Sequence, residues 1–344
     1  MCDCPGCLLP SNLEEMDNAP LDPPARLSVV VPTRDRAPML DQCLASIRAL
    51  EGPDLCIELI VVDDGSSDGS TAVALAHGAQ VIENGGKGSA AARNAGMRAA
   101  TGEFLLMVDD DDVALAGHVR PHIALLRQHP EFAAVVGQVT NTSFDLQEQG
   151  DAWPARLPRD GHLLKSFFHY YPQIGATVAR MLVRETVGDQ DPALIGDQDW
   201  DWHLRLAREH LVGFVPVPCL LFRQRPPSGP QEDGEWRRLS DHARVLWKNA
   251  RAAGWRTLPP WELAMAASKQ RGSYSAAFAS YAKTHAMARQ RRLLLRAIAR
   301  SFIASPPHAV KAIATDAVLR RQAFAALTGR HAPLPDPEHS AAAG

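Results

Sequence analysis

The chain has 344 residues, enough for one large or two modest domains, which excludes a small scaffold held together by disulfides. Hydrophobic residues make up 46% and charged residues 22%, an ordinary composition that argues against wholesale disorder and against a membrane-embedded channel. The formal net charge of −3 provides no global attraction to nucleic acid, so no nucleic-acid partner is predicted.

The N-terminal residues 1–26 are rich in proline and lack apolar periodicity, which predicts a flexible leader. No secretory signal and no run of about 18 uncharged apolar residues is present, so a cytoplasmic location is predicted. The leader contains three closely spaced cysteines that could bind a soft metal, although no fourth ligand is near: Cys2, Cys4 and Cys7. The remaining cysteines are scattered and indicate reduced thiols: Cys43, Cys56 and Cys219.

From residue 27 onward, predicted strands and helices alternate, which is typical of a parallel sheet covered by helices. The strands are predicted near 27–31, 58–62, 80–82, 104–108 and 132–136, and the helices near 38–50, 69–77, 89–100 and 117–129. Residues 140–170 predict loops and edge strands, followed by a helix near 198–210 and a last strand near 212–222. Beyond residue 235 the pattern is helical, with proline breaks at 259–260 and 306–307.

Two strong strands end in acidic clusters, Asp63-Asp64 and the four aspartates 109–112. The carboxyl ends of parallel strands share one edge of the sheet, where ligands of open α/β folds bind. The two clusters therefore predict a site for a divalent cation and a phosphorylated ligand, with solvated acidic turns as the alternative.

A glycine-rich turn, residues 85–89, lies between these clusters and leads into a helix that carries Arg93. The phosphate-binding Walker sequence is excluded because Gly88, not Ser or Thr, follows Lys87. The dinucleotide fingerprint fits Gly86, Gly88 and Ala91, so a Rossmann-type nucleotide-cofactor enzyme remains an alternative.

Four blocks in order resemble the inverting glycosyltransferases of family 2, which have the GT-A fold. They read VVVPTRDR at 29–36, VDDGSSD at 62–68, RNAG at 93–96 with GEFLLMVDDDD at 102–112, and VGDQDPALIGDQDWDWHLRL at 187–206. The resemblance covers residues 27–228. It implies a GT-A type α/β domain at 27–230, with a mostly parallel Rossmann-like sheet flanked by helices, and an α-helical C-terminal extension at 231–344.

The resemblance also implies how a nucleotide-sugar donor is held. The backbone of Pro32, Thr33 and Arg34 would line the base, and Asp63 or Asp64 would take the nucleobase or ribose. Arg93 would lie near the nucleotide, and Asp110 would meet ribose or sugar hydroxyls. Asp109 and Asp111 would form the D-x-D pair, in which Asp111 ligates Mn²⁺ or Mg²⁺ bridging the diphosphate.

Asp199 would be the base that accepts the acceptor's proton during a single in-line displacement. The alternative is a helix N-cap, and Asp197 and Asp201 are rival bases. Gln198 replaces the family's usual glutamate, which leaves a non-catalytic sugar-nucleotide-binding module as another alternative. Nearby residues have open roles: His203 as a ligand or a structural residue, Trp200 and Trp202 in sugar stacking or in the core, and Arg223 and Arg225 in a loop over the diphosphate or on the surface.

Residues 287–303 interleave arginines and aliphatic residues, which fits either peripheral membrane contact or a helix packed on the protein with solvated arginines. The sequence thus predicts a metal-dependent, inverting glycosyltransferase whose partners are a nucleotide-diphosphate sugar and a saccharide, lipid-linked or other hydroxyl acceptor. It would be cytoplasmic, with peripheral attachment at the inner face of the membrane as an option.

Overall fold

The computed structural model describes residues 20–224 and 229–328, and the chain divides into two compact units, residues 1–225 and 226–344. The cluster of Cys2, Cys4 and Cys7, and also Arg225, lie outside the described residues. The first strand begins at Ala25, and Leu21 is already buried. The fold therefore begins before residue 27, the start that the sequence pattern predicted.

The strands of the first unit are β1 Ala25–Thr33, β2 Leu55–Asp63, β3 Gln80–Glu83, β4 Phe104–Met107, β5 Val113–Ala114, β6 Phe132–Thr142, β7 Thr177–Arg180 and β8 Leu211–Arg223. In the described residues they form one eight-stranded sheet in the order β3-β2-β1-β4-β7-β6-β8-β5. β1 is parallel to β2 and β4, β2 to β3, and β6 to β8. β7 is antiparallel to β4 and β6, and β5 is antiparallel to β8.

The helices of this unit are α1 Ala37–Arg48, α2 Ser70–Ala76, α3 Ser89–Ala99, α4 Val119–Gln128, α5 Leu164–His169, α6 Val183–Thr186 and α7 Gln198–Glu209, and a 3₁₀ turn spans Ile174–Ala176. Helices thus follow the strands as the sequence pattern predicts, and the α/β prediction is confirmed. The sheet is more mixed than expected because the short strands β5 and β7 run against their neighbours.

The central strand β1 is buried on both faces, since Val29, Val30 and Val31 are fully buried. This explains its continuous β-branched run, which a strand covered by helices requires. α3 packs closely on this part of the sheet at Gly96, where a Cβ atom would overlap the Val30 side chain. The small residue thus fixes α3, and with it the glycine turn before α3, against the sheet.

The described part of the second unit, residues 229–328, is helical: α8 Gly229–Ala253, α9 Pro260–Met287, α10 Arg291–Ala304, α11 Pro306–Thr315 and α12 Ala317–Thr328. α9 and α11 begin at the predicted proline breaks. Among the described residues, no helix combines the length and the apolar character needed to cross a bilayer.

Residues 287–303 largely form α10, whose apolar stripe, including Leu294 and Ala297, is buried. Arg300 lies 2.8 Å from Glu232 and 2.7 Å from Asp233 of α8, and Arg296 lies 3.5 Å from Glu232. These arginines pair inside the helical unit, which favours the packed-helix interpretation of this segment.

Candidate active site

The loops that follow β1, β2 and β3 leave the sheet at one edge. Thr33 pairs in register with Asp63, and Asp63 with Glu83, while β4 ends beside β1. A direct contact joins the end of β1 to the segment after β4: the Thr33 hydroxyl donates to Asp110 Oδ2 at 2.8 Å. The structure therefore brings the predicted acidic segments together, as the parallel register requires.

Asp63 shapes the turn after β2. Its carboxylate accepts hydrogen bonds from the Thr71 hydroxyl at 2.6 Å and from the Ser66 and Gly65 amides at 2.7 and 3.1 Å. Burial raises the pKa of Asp63, but the hydrogen bonds from Thr71 and Ser66 outweigh it and leave the pKa below its usual value. The side chain thus organises the loop from within, and its contact with a nucleobase or ribose stays a prediction.

Asp64 fixes the glycine turn that precedes α3. Asn84 Nδ2 donates to Asp64 Oδ1 at 2.5 Å, and the Gly88 amide donates to Asp64 Oδ2 at 3.0 Å. Arg34 Nη1 lies 4.0 Å from the same carboxylate, and its side chain is 60% exposed. Arg34 therefore places a solvent-accessible cation beside the turn.

The loops 33–37 and 63–70 are also braced directly against each other. Asp35 Oδ1 accepts from the Ser67 amide at 2.7 Å, and Asp68 Oδ2 accepts from the Ala37 amide at 2.9 Å. Asp35 adopts a left-handed backbone conformation with φ of 51°, which aspartate tolerates better than most residues. The carboxylates of Asp35, Asp63, Asp64 and Asp68 thus all accept hydrogen bonds from other groups of the protein at this edge of the sheet.

Burial and a neighbouring arginine determine the electrostatics of the acidic segment 109–112. Arg36 Nη1 donates to Asp110 Oδ1 at 2.6 Å and lies 3.6 Å from Asp111 Oδ2. Burial raises the pKa of Asp110, and Asp111 adds to this effect, while Arg36 opposes it. Burial and the neighbouring Asp109 and Asp111 also raise the pKa of Asp112 well above its usual value.

The donor chemistry of this segment fits a divalent cation. Carboxylate oxygens are hard ligands, and a bound cation would oppose the burial and the mutual repulsion that raise the pKa values of Asp110 and Asp112. Among the described residues, no three His, Cys, Asp or Glu side chains are grouped so as to hold a metal by themselves. Asp109 and Asp111 would therefore hold Mg²⁺ or Mn²⁺ only together with phosphate oxygens, which is the usual mode for Mg²⁺.

Arg93 connects the acidic segment to the second half of the sheet unit. This buried guanidinium donates through Nη2 to Asp109 Oδ1, and through Nη1 to the buried Gln190 side chain at 3.3 Å. Burial lowers the pKa of Arg93, but the nearby charges of Asp109 and Asp199 more than compensate and raise it. The backbone of Gln190 is tied in turn to the side chain of Asn94 by two hydrogen bonds of 2.8 Å.

Asp199 lies in the first turn of α7 and is partly exposed. The Tyr171 hydroxyl donates to its Oδ1 at 2.6 Å, and the Trp200 amide donates to the same oxygen at 3.0 Å. Burial raises the pKa of Asp199, Arg93 and Tyr171 lower it, and the net pKa lies above its usual value. A carboxylate whose pKa is raised is a stronger proton acceptor than an ordinary aspartate.

The two rivals of Asp199 have different settings. Asp197 occupies the N-cap position with a left-handed φ of 60°, so Asp199 itself is not the N-cap, and Asp197 Oδ1 lies 3.3 Å from the same Tyr171 hydroxyl, a longer contact than that of Asp199. Asp201 is fully buried and pairs with Arg205 at 3.0 Å. Gln198, in place of the usual glutamate, donates from Nε2 to the Leu194 carbonyl at 2.7 Å and so helps hold the loop before α7.

His203, Trp200 and Trp202 belong to the core. The Trp200 indole donates to the Phe167 carbonyl at 2.7 Å, the Trp202 indole donates to the Gly188 carbonyl at 3.0 Å, and both rings are buried. The buried His203 ring lies 2.9 Å from the Thr177 hydroxyl, and its Nδ1 donates to the Asp199 carbonyl at 2.8 Å. The structural interpretations of these three residues are therefore favoured.

Arg223 is buried at the end of β8, where its amide donates to Asp112 Oδ1 at 3.2 Å. Its guanidinium donates to Gln42 at 2.7 Å and to the Phe144 carbonyl at 3.1 Å. The side chain thus anchors the loop that contains Phe144, and the alternative of a surface arginine is wrong.

Sequence reasoning missed Tyr171, Asn94 and Gln190. Asn94 and Gln190 stand inside the blocks that carried the resemblance, next to Arg93 and before Asp199, and that adjacency was the available signal. Tyr171 lies in a segment without periodicity, and only the fold brings it onto Asp199 and into a stack with Trp200 at 5.7 Å.

Comparison with known sequences adds a family match. Residues 28–186 match the family described as "Glycosyl transferase family 2". The chain is 27% identical over 207 residues to "Uncharacterized glycosyltransferase YwdF" of Bacillus subtilis, covering 57% of this chain and 74% of that protein. It is 38% identical over 127 residues to "Dolichyl-phosphate beta-glucosyltransferase" of Drosophila melanogaster, covering 32% of this chain and only 38% of that protein.

Solved structures share the fold at low sequence identity. A mannosyltransferase, PcManGT from Pyrobaculum calidifontis in complex with GDP-Man and Mn²⁺, superposes with a TM-score of 0.52 at 19% identity over 92% of this chain and 91% of that one. Residues 1–349 of TarS from S. aureus give a TM-score of 0.50 at 13% identity over 90% of this chain and 93% of that one. The sequence match to family 2 is thus confined to residues 28–186, and the solved structures show the fold alone, which agrees with the expected GT-A type.

Proposed function

We propose that this chain, as a family 2 glycosyltransferase, moves a sugar from a nucleotide-diphosphate donor onto an acceptor hydroxyl with inversion at the anomeric carbon. The observation that carries the proposal is the position of Arg93, which hydrogen-bonds Asp109 and interacts electrostatically with Asp199. One guanidinium therefore lies between the acidic segment expected to hold the donor's phosphates and the carboxylate expected to deprotonate the acceptor.

Asp199 is assigned as the general base. The acceptor oxygen forms a bond to the anomeric carbon while the bond from that carbon to the diphosphate oxygen breaks, and the acceptor's proton passes to Asp199. Attack from the face opposite the leaving group inverts the configuration in a single displacement. The raised pKa of Asp199 suits this task, because a base is most effective when its pKa lies near the working pH.

The donor is expected at the edge formed by Pro32, Thr33 and Arg34, with Asp63, Asp64, Arg93 and Asp110 around it. The exposed Lys87 lies within the glycine turn that Asp64 braces, the exposed Arg34 lies beside that turn, and both cations can meet phosphate oxygens. In this proposal Asp63 and Asp64 act chiefly by holding the backbone that lines the nucleotide.

Asp109 and Asp111 would hold Mn²⁺ or Mg²⁺ together with the donor's diphosphate. When bound, the ion would offset the negative charge that grows on the departing nucleoside diphosphate. The acceptor is proposed to be a saccharide or a lipid-linked hydroxyl compound at the cytoplasmic side of the cell envelope, consistent with the name of one relative, "Dolichyl-phosphate beta-glucosyltransferase".

Calorimetric titration of UDP, GDP, dTDP and NAD, with and without Mn²⁺, tests this assignment. One nucleoside diphosphate is expected to bind only with the metal, and Asp111→Asn should abolish that binding. Asp41→Asn is a matched control on the exposed side of α1, where the carboxylate pairs with His77, and it should bind normally. Binding of NAD without metal would contradict the proposal. Once a donor is known, the proton coupling of the product's anomeric signal tests inversion.

A further inference from the structure

The two units carry opposite charge. Residues 226–344 contain 18 basic and eight acidic residues, whereas residues 1–225 contain 18 basic and 31 acidic residues. The near-neutral total of the whole chain conceals this division. The helical unit therefore has the electrostatic character of a protein that meets an anionic partner.

The positive charge is concentrated near the end of α8. Between residues 237 and 261 the sequence contains six basic side chains and one acidic side chain, Asp241, which is buried. Five of the six basic residues are exposed: Arg237, Arg244, Lys248, Arg251 and Arg256. This surface can therefore attract negative charge from solution.

An apolar cavity of about 420 Å³ lies in the same part of the helical unit, between α8 and the start of α9. Aliphatic side chains form much of its wall: Leu239, Leu246, Leu263 and Ala267. Trp247 and Trp255 also line it, and His242 and Arg271 are its titratable lining residues. Its volume lies within the range of pockets that bury organic molecules, about 300–1,000 Å³.

Large apolar side chains of α8, of α9 and of the segment between them are exposed to solvent, and two of them, Trp247 and Trp255, line the cavity. Trp247, Trp255 and Trp261 are 59%, 58% and 65% exposed, and Met265, one turn after Trp261 on α9, is 56% exposed. Indole rings favour the boundary between water and hydrocarbon, because they combine a broad apolar face with one hydrogen-bond donor. Exposed indoles and exposed basic residues alternate along residues 247–261, where Lys248, Arg251 and Arg256 stand between Trp247 and Trp261. This combination is typical of an interfacial membrane contact.

We propose that this corner, defined by Trp247, Trp255, Trp261, Met265 and the five exposed basic residues, docks on the surface of an anionic lipid bilayer. The basic residues meet lipid phosphates, the indoles enter the interfacial region, and the aliphatic cavity admits part of a lipid chain. The aliphatic wall favours a bilayer over single-stranded nucleic acid, whose bases would stack on the indoles but gain nothing from Leu246 and Leu263.

This surface differs from the segment 287–303, whose Arg296 and Arg300 pair with acidic residues inside the helical unit. The proposal goes beyond the proposed transfer reaction and does not depend on it. Its test measures binding alone, so failure of either proposal leaves the other untouched.

The test is co-sedimentation of the full chain with vesicles of phosphatidylcholine alone or mixed with phosphatidylglycerol, at low and high salt. The chain should sediment with the anionic vesicles at low salt, and the triple variant Trp247→Ser, Trp255→Ser, Trp261→Ser should lower the apparent partition coefficient by about tenfold or more. Phe324→Ser is the matched control, because Phe324 is 60% exposed in the same unit but lies on α12.

A second readout does not require the variant to fold. Indole fluorescence of the unmodified chain should be quenched by anionic vesicles that contain brominated lipid and unchanged by the same vesicles without bromine. Absence of sedimentation, sedimentation without quenching, or full binding by the correctly folded triple variant each overturns the proposal. A concentration-dependent dimer that the triple variant lacks would instead assign this corner to a second copy of the chain.

Discussion

Replacing Tyr171 by phenylalanine removes a single hydroxyl that donates to Asp199 Oδ1 at 2.6 Å. The hydrogen bond favours the ionised form of the carboxylate, because an ionised oxygen accepts more strongly than a protonated one. Loss of the hydroxyl therefore raises the pKa of Asp199 further above its usual value, where burial has already placed it.

The size of this effect follows from the strength of the bond. A hydrogen bond to a charged group contributes about 1.5–3 kcal/mol, and one pKa unit corresponds to about 1.4 kcal/mol. Asp199 is partly exposed, so water replaces part of the lost hydrogen bond and the loss lies at the lower end of this energy range. The expected rise in the pKa is about one unit.

A pH profile of kcat/KM measures the shift. Release of nucleoside diphosphate from the nucleotide sugar that calorimetry identifies, with water as the acceptor, avoids the need to know the natural acceptor. Since the base must be ionised, activity falls as the pH drops through the pKa of Asp199. The acidic limb of Tyr171→Phe should lie about one pH unit higher than that of the unmodified protein, and the two profiles should meet at high pH.

Tyr170→Phe is a control one residue away. The Tyr170 hydroxyl is buried without a hydrogen-bond partner among the described residues, so its removal should leave the limb in place. The assignment of Asp199 as base fails if Tyr171→Phe leaves the acidic limb unmoved, or if Tyr170→Phe shifts it equally.

Three further outcomes are expected. Asp199→Asn should lower kcat by about 10²–10⁴-fold while calorimetry still detects nucleoside diphosphate binding, and loss of binding would argue for a structural role. Gly96→Ala should lower the free energy of unfolding of the sheet unit by about 1–3 kcal/mol in denaturant titration, because the added methyl group overlaps Val30. Gly234→Ala is the control: a Cβ atom added there meets no atom within 4 Å, so this change should not destabilise the protein. Burial lowers the pKa of His203 to about 3, so the histidine stays neutral in the folded protein, whereas in the unfolded chain it is protonated below about pH 6.5. Relative to His203→Gln, the unmodified protein should therefore lose about 1.4 kcal/mol of stability per pH unit as the pH falls from 6 to 4. Parallel curves of stability against pH for the two proteins would contradict this.

The elements that the sequence predicted well are those whose local pattern and tertiary environment agree. β1 and β2 are buried on both faces, so their continuous apolar runs are unambiguous. β5 has two residues and β7 has four, too few to show a period. The antiparallel placement of β7 between β4 and β6 depends on pairing between distant segments, which no local pattern encodes.

The residues of the candidate site likewise fall into those that the sequence could predict and those that it could not. The acidic residues could be found because they follow strands directly, and the sheet register then brings them to one edge. Tyr171 could not be found, since its contact with Asp199 spans 28 residues and depends on how the segment before β7 crosses the start of α7. Chemistry at strand ends is therefore visible in a sequence, whereas the partners that tune that chemistry come from tertiary packing.

The bracing between loops 33–37 and 63–70 determines how a ligand would meet this edge of the sheet. The side chains of Asp35, Asp63, Asp64 and Asp68 already fix the backbone there through hydrogen bonds to main-chain amides. A nucleotide arriving at this edge finds the loops in one conformation and loses little conformational entropy in ordering them. Affinity can then depend on the fit of the base and phosphates to a preorganised surface, and changes in the exposed Arg34 can alter that fit without loosening the loops beneath it.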